Sequence, residues 1–166
     1  MSYADTILPE FDQEMANTRK VLERIPADKF AWKAHPKLNT IGWNANHLVE
    51  IPGWVAGTLS GTSWDFAPPG GERYVSPALT TTPELLALFD KNVADARRAI
   101  AAVRDEDLDV EWSLLYGGSL IFKIPRAAVV RSFILSHTIH HRAHLCVYLR
   151  LNDVPVPGMY GPSGDE

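Results

Sequence analysis

Four of the six histidines of this chain fall within eight residues of one segment, Ser136-His137-Thr138-Ile139-His140-His141-Arg142-Ala143-His144-Leu145. In an α-helix each residue advances by about 100°, so His141 and His144 lie within about 40° of His137. The apolar residues around the segment face the same way: Val130, Phe133, Ile134 and Tyr148. The imidazoles therefore occupy a buried stripe, where an unpaired polar group costs on the order of 1–3 kcal/mol. We expect the interior to supply partners for them.

The composition is that of an ordinary globular protein, with 166 residues, 46% hydrophobic and 22% charged. This length predicts a single domain over residues 1–166. A net charge of −4 argues against nucleic acid as a partner. No apolar run approaches the ~20 residues that span a membrane, and the first residues lack a signal-peptide pattern. With Cys146 as the single cysteine, we expect a cytoplasmic protein without a membrane or nucleic-acid partner.

Apolar periodicity predicts four amphipathic helices, at about residues 3–23, 41–60, 83–103 and 125–151. Thr82 and Pro83 are a typical helix cap and first helical position. The segment 61–82 is expected to be a link without regular structure that crosses the fold or covers a site. A small hairpin could form around Gly117-Gly118. The predicted fold class is therefore all-α, a four-helix bundle with a long link between helices 2 and 3 and a small hairpin before helix 4.

His137 and His141 are one helical turn apart, so both imidazoles can converge on one metal ion. The same spacing occurs in pairs of core histidines that bond to backbone carbonyls or buried carboxylates. His47 lies in the apolar stripe of the second helix and, alone, would be interpreted as one more core histidine. Taken together, the three imidazoles predict a metal site with positions left open for water or a substrate atom.

Other polar residues are candidates for supporting roles around this site. Glu50, one turn after His47, could hydrogen-bond a ligand imidazole, act as a base, or be an ordinary solvated glutamate. His144 is about two turns beyond His137 and is expected to contact the substrate or the ligands, with a role as fourth ligand left open. His140 and His35 are expected at the surface, and Cys146 on the opposite face of its helix.

Over its whole length the chain resembles the DinB/YfiT family of metal-dependent bundle proteins. The resemblance is carried by residues 137–145 and 148–166, and by the shorter motif Asn46-His47-Leu48-Val49-Glu50. It implies that His47, His137 and His141 bind one divalent ion, because these positions match the family's metal ligands. Where the family often has Arg-Gly-Gln after the histidine pair, this chain has Arg142-Ala143-His144.

The resemblance also implies an up-down-down-up helix order, zinc or nickel as the metal, and a homodimer, which the five tryptophans also suggest. Characterised relatives use low-molecular-weight thiols such as bacillithiol, mycothiol or glutathione. An open metal position suits this chemistry because the ion lowers the pKa of a bound thiol. The expected function is a metal-dependent S-transferase acting on a small electrophile. The alternatives are a non-catalytic metal-binding stress protein and a metal-dependent hydrolase.

Overall fold

The computed structural model describes residues 2–166. Its helices and strands follow in the order α1 (Tyr3–Leu22), α2 (Ile41–Glu50), a 3₁₀ turn (Ile51–Trp54), α3 (Val55–Ser60), β1 (Ser63–Asp65), α4 (Thr82–Ala102), β2 (Glu111–Tyr116), β3 (Ser119–Pro125), α5 (Arg126–Ala128), a π-helical segment (Val129–Ser136) and α6 (His137–Arg150). Within these described residues, no helix combines the length and the apolar character that crossing a bilayer requires.

The long helices form a bundle around one apolar core. Both α4 and α6 contact α1 as well as α2, so side chains from all four helices meet in the middle. Helix α1 begins with a capping box in which Ser2 and Asp5 bond to each other's backbone N–H. The cap of α4 is Thr81, one residue earlier than predicted. Fully buried core residues come from each of the four helices: Phe11, Leu22, Leu48, Leu85, Ile100 and Leu145.

The predicted all-α class is wrong, because residues 2–166 also contain a three-stranded mixed sheet in the order β1-β2-β3. Strands β2 and β3 pair antiparallel and are the hairpin expected before the last helix. Strand β1, which lies in the link that was expected to lack regular structure, pairs in parallel with β2. Strand β1 has only three residues, too few to show an alternation of apolar and polar positions in the sequence. The strand exists because a distant partner supplies its hydrogen bonds, as where Ser113 donates to the carbonyl of Thr62.

The hairpin turns at Gly117 and Gly118, whose φ angles of 61° and 76° require residues that tolerate the left-handed region. The Asp65 carboxylate accepts hydrogen bonds from both glycine N–H groups, at 3.1 and 2.7 Å. Desolvation raises the pKa of the Asp65 carboxyl, but the hydrogen bonds from the backbone N–H groups of Ala67 and the two glycines together lower it. Asp65 therefore ties the end of β1 to the turn, and the sheet becomes a fixed wall beside the bundle.

The chain enters its last helix through a π-helical segment, Val129–Ser136. A π turn holds an extra residue per turn, so the phase of the helix shifts before His137. Ser136 donates its hydroxyl to the carbonyl of Arg131, five residues earlier. Phe133, in this segment, packs against the sheet residues Trp112 and Phe122. The segment thus joins the sheet to the helix that carries the histidines.

Candidate metal centre

The structure brings His47, His137 and His141 together between α2 and α6. The Nε2 atom of His137 lies 3.2 Å from that of His47 and 3.0 Å from that of His141. One nitrogen from each ring lies within 4.8 Å of the other two. The three imidazoles are partly buried. Helices α2 and α6 are in direct contact, which places the two halves of the cluster face to face.

These distances fit ligands of a single metal ion. Nitrogen atoms about 2.0–2.1 Å from one ion lie about 2.9 Å apart at right angles and about 3.3 Å apart at the tetrahedral angle. The two measured separations, 3.0 and 3.2 Å, fall between these values. A set of three imidazoles suits zinc, nickel, copper or iron, and leaves further coordination positions for other donors.

The carboxylate of Glu50 fixes the orientation of His47. Its Oε1 lies 2.5 Å from His47 Nδ1 and accepts a hydrogen bond from the Ser76 hydroxyl at 3.1 Å. Its Oε2 accepts a hydrogen bond from the Tyr74 hydroxyl at 2.9 Å. Burial raises the pKa of Tyr74 to about 12, so this hydroxyl stays a donor at neutral pH. With Glu50 as acceptor at Nδ1, the Nε2 of His47 keeps its lone pair for the cluster.

The other two histidines also turn their Nε2 atoms towards the cluster. His141 Nδ1 lies 3.2 Å from the Asn44 side-chain oxygen, which selects the tautomer whose Nε2 is free. His137 Nδ1 is buried and has no hydrogen-bond partner among the residues that the structure describes. Burial, helped by the nearby His47, lowers the pKa of His137 to about 4 and that of His141 to about 3. Both rings are therefore neutral at pH 7, the state that binds metal.

Two cavities within the described part of the chain meet at His47 and Glu50. One, of about 300 Å³, also reaches His137 and has Arg73 as its cationic group. Its wall is otherwise largely aromatic: Trp54, Trp64, Phe66, Tyr74 and Phe133. The other, of about 370 Å³, lies on the side of Trp43 and is lined in part by the link at residues 76–80. The link therefore forms part of the wall of the site.

The remaining candidates lie outside this cluster. His144 and His140 are exposed and meet edge to face, with ring centroids 4.3 Å apart. His35 is exposed in its loop. Cys146 is half-buried, and burial raises the pKa of its thiol, which disfavours a thiolate.

Sequence reasoning missed four residues that shape the site: Trp43, Asn44, Tyr74 and Ser76. Asn44 could have been found, because Asn44, His47 and Glu50 form a polar line at three-residue spacing on one side of the helix. The ring of Trp43 stacks on His47 at 4.8 Å between centroids. Tyr74 and Ser76 lie more than 20 residues from Glu50 in sequence, and no local pattern indicates their contact.

Glu50→Gln should weaken metal binding by about 10- to 100-fold, because the amide keeps the shape but loses the charge that orients His47. Calorimetric titration of the metal-free protein with Zn²⁺ measures the change. Glu84→Gln, at the exposed start of α4, is the matched control and should bind as the wild type does. Unchanged affinity in Glu50→Gln would show that Glu50 does not support the site.

The metal-free protein should lose stability as the pH falls from about 6.5 towards 4. The unfolded chain binds protons on His137 and His141 near pH 6.5, whereas the folded pKa values are about 4 and 3. Because the unfolded state then binds more protons than the folded state, the free energy of unfolding decreases as the pH is lowered. Urea unfolding across this range tests the effect against the double variant His137→Ala/His141→Ala. Equal pH slopes in the two proteins would contradict it.

Comparison with known proteins agrees with the fold and with the resemblance. The sequence profile of the DinB superfamily matches residues 10–145. A DinB-like protein from Bacillus cereus ATCC 10987 superposes with a TM-score of 0.70 at 21% identity, over 94% of this chain and 97% of that one. A DinB-like protein (YjoA) from Bacillus subtilis gives 0.66 at 16%, over 90% and 96%.

Because their sequence identities to this chain are low, these two structures show a shared fold and nothing beyond it. No curated protein sequence matches this one closely enough to suggest a relative. The profile covers most of the chain, including His47, His137 and His141, and so confirms the resemblance inferred from the sequence. The chain belongs to the DinB superfamily.

Proposed function

We propose that this protein is a metal-dependent S-transferase that joins a low-molecular-weight thiol to a small electrophile, using one zinc or nickel ion. The observation that carries the proposal is the convergence of three Nε2 atoms, from His47, His137 and His141, beside a cavity. A metal site that only stabilised a fold would be closed by a fourth protein ligand. Three ligands next to open space suit the binding of a substrate atom.

The ion would lower the pKa of a bound thiol and present its sulfur as a thiolate at neutral pH. The protein holds the site in shape, because Glu50 orients His47 and Asn44 orients His141. The aromatic wall of the smaller cavity excludes water from the nucleophile. The sulfur forms a bond to the electrophilic atom, the leaving group departs with its bonding electrons, and the thiol proton passes to solvent.

The two cavities support a reaction with two substrates. Both reach His47 and Glu50, one from the side of Trp54 and the other from the side of Trp43. Each is about the size of a small organic molecule. The largely aromatic wall of the cavity beside His137 suits an apolar electrophile. A thiol in the other cavity would meet it at the open side of the histidine cluster.

The engagement of Glu50 weighs against the hydrolase alternative. A hydrolase needs a base with a free lone pair near the activated water. Glu50 already accepts hydrogen bonds from Tyr74 and Ser76 and contacts His47. The carboxylate is therefore suited to orienting a ligand rather than to taking a proton from water.

Thiol addition to the cobalt- or nickel-loaded protein should produce a sulfur-to-metal charge-transfer band in the near ultraviolet. The reason is that an open position on the ion accepts the sulfur directly. Absorbance titration with bacillithiol, mycothiol, glutathione and cysteine measures the effect. Protein with His141→Ala, given the same metal, is the control and should show no band. Absence of a band with all four thiols in the wild type would overturn the proposed mechanism.

We also propose a cytoplasmic homodimer. Three of the five tryptophans, Trp43, Trp54 and Trp64, line the two cavities, and Trp112 is buried against the sheet. The fold itself therefore accounts for most of the tryptophans, and the family resemblance is the remaining support for the dimer.

A further inference from the structure

A second group of histidines lies on the outer side of the candidate metal centre. His140 and His144 are exposed and one helical turn apart on α6. One nitrogen from each, and one from His141, lie within 4.8 Å of one another. The ring of His141 is 5.0 Å from that of His140 and 5.9 Å from that of His144. His141 is therefore common to this outer group and to the inner cluster.

Aromatic rings border the inner cluster on the side of His137 and above His47. Trp43 stacks on His47, and both Trp54 and Phe133 lie against His137, with centroids 6.0 and 5.6 Å away. The cavity that reaches His137 is lined largely by aromatic side chains and carries the cation Arg73. A hydrated divalent ion loses water ligands without replacement along such a wall, and the guanidinium repels it. The exposed imidazoles offer nitrogen ligands in contact with solvent.

We propose that His140 and His144 form an outer binding site for a divalent ion of the zinc or nickel class, from which His141 delivers the ion to the inner cluster. This inference rests on the proposed metal centre at His47, His137 and His141. Neutral imidazoles exchange one for another at each step, so the charge of the ion and the protonation of the rings stay the same.

The contacts of His141 suit this transfer. On its Nδ1 side the ring has one hydrogen-bond partner, the Asn44 side-chain oxygen at 3.2 Å, so a turn of the ring breaks one hydrogen bond. A turn outward would direct the ring towards His140 and His144, each of which has a nitrogen within 4.8 Å of one of the His141 nitrogens. Turning back restores the 3.0 Å approach to His137. Throughout the exchange at least two imidazoles remain available to the ion.

The test is the rate of nickel uptake by the metal-free, full-length protein after rapid mixing, followed by quenching of tryptophan fluorescence. The double variant His140→Ala/His144→Ala should take up the inner ion several-fold more slowly than the wild type. Equilibrium dialysis should still find one tightly bound ion and should no longer find a weaker second one. The control His35→Ala changes an exposed histidine elsewhere and should leave the rate unchanged.

The outcomes separate this inference from the proposed function. Suppose that the double variant binds a normal amount of tightly bound nickel at an unchanged rate. This result would overturn the delivery by His141 and would leave the metal centre standing. A wild-type protein without any tightly bound ion would overturn the metal centre and the delivery together. His137→Ala should keep the weaker ion at His140 and His144, and its loss there would contradict an independent outer site.

Discussion

His141→Ala should lower the affinity for a divalent ion by more than about 100-fold, beyond the loss caused by changing a residue that only orients a ligand. The imidazole supplies one of three converging nitrogen atoms, and its Nε2 lies 3.0 Å from that of His137. Without it, the two remaining rings come from different helices. The same result is expected for His47→Ala and His137→Ala. Elemental analysis after gel filtration and calorimetric titration with Zn²⁺ give the stoichiometry and the affinity.

His35→Ala is the matched control, because it removes an exposed imidazole outside the candidate metal centre. Its metal content should equal that of the wild type. Circular dichroism should show that every variant keeps its helices, so that a loss of metal cannot be a loss of fold. Full stoichiometry in His141→Ala would show that the cluster of Nε2 atoms is not the binding site.

Arg142→Ala should lower the free energy of unfolding by about 3–5 kcal/mol, the usual result of removing one partner of a buried ion pair. Arg142 and Glu14 have side chains that are 3% and 6% exposed, with a nitrogen–oxygen distance of 2.6 Å. Arg142 also donates to the Glu14 carbonyl at 3.0 Å and to the Tyr160 hydroxyl at 2.6 Å. The substitution leaves the Glu14 carboxylate buried without its cation. Urea unfolding at neutral pH measures the difference.

A surface ion pair provides the comparison. Arg19 pairs with Asp90 at 2.8 Å, and these side chains are 40% and 49% exposed. Arg19→Ala should therefore cost less than about 1 kcal/mol. Replacing both buried partners, in Glu14→Leu/Arg142→Met, should recover much of the stability that Arg142→Ala loses, because no unpaired charge remains. Equal losses for Arg142→Ala and Arg19→Ala would mean that burial does not strengthen the inner pair.

The helical phase of a few residues was enough to predict that His47, His137 and His141 converge. His137 and His141 share a buried stripe, and His47 lies in the middle of another, so any bundle that packs these stripes together brings the three rings close. The hairpin was also predictable, because Gly117 and Gly118 tolerate the positive φ angles that a two-residue turn needs. In each case the information lies within a few residues of sequence.

What could not be predicted depends on contacts between distant segments. Strand β1 forms only against β2, which lies about 50 residues later. Tyr74 and Ser76 reach Glu50 because the link folds back across α2, where Asn46 bonds to both backbone groups of Leu79. Short polar segments of this kind take their structure from the packed bundle, and their own sequence contains little signal.

The packing of three partly buried imidazoles against one another makes the metal-free protein locally frustrated. A chain selected for stability alone would place an aliphatic side chain at position 137, between Trp54 and Phe133, where the His137 ring now has a buried nitrogen without a partner in the described residues. Rigidity from other parts of the bundle, such as the ion pair of Arg142, has to hold the rings together. The capacity to hold a metal ion and the stability of the metal-free fold therefore oppose each other on the same helix.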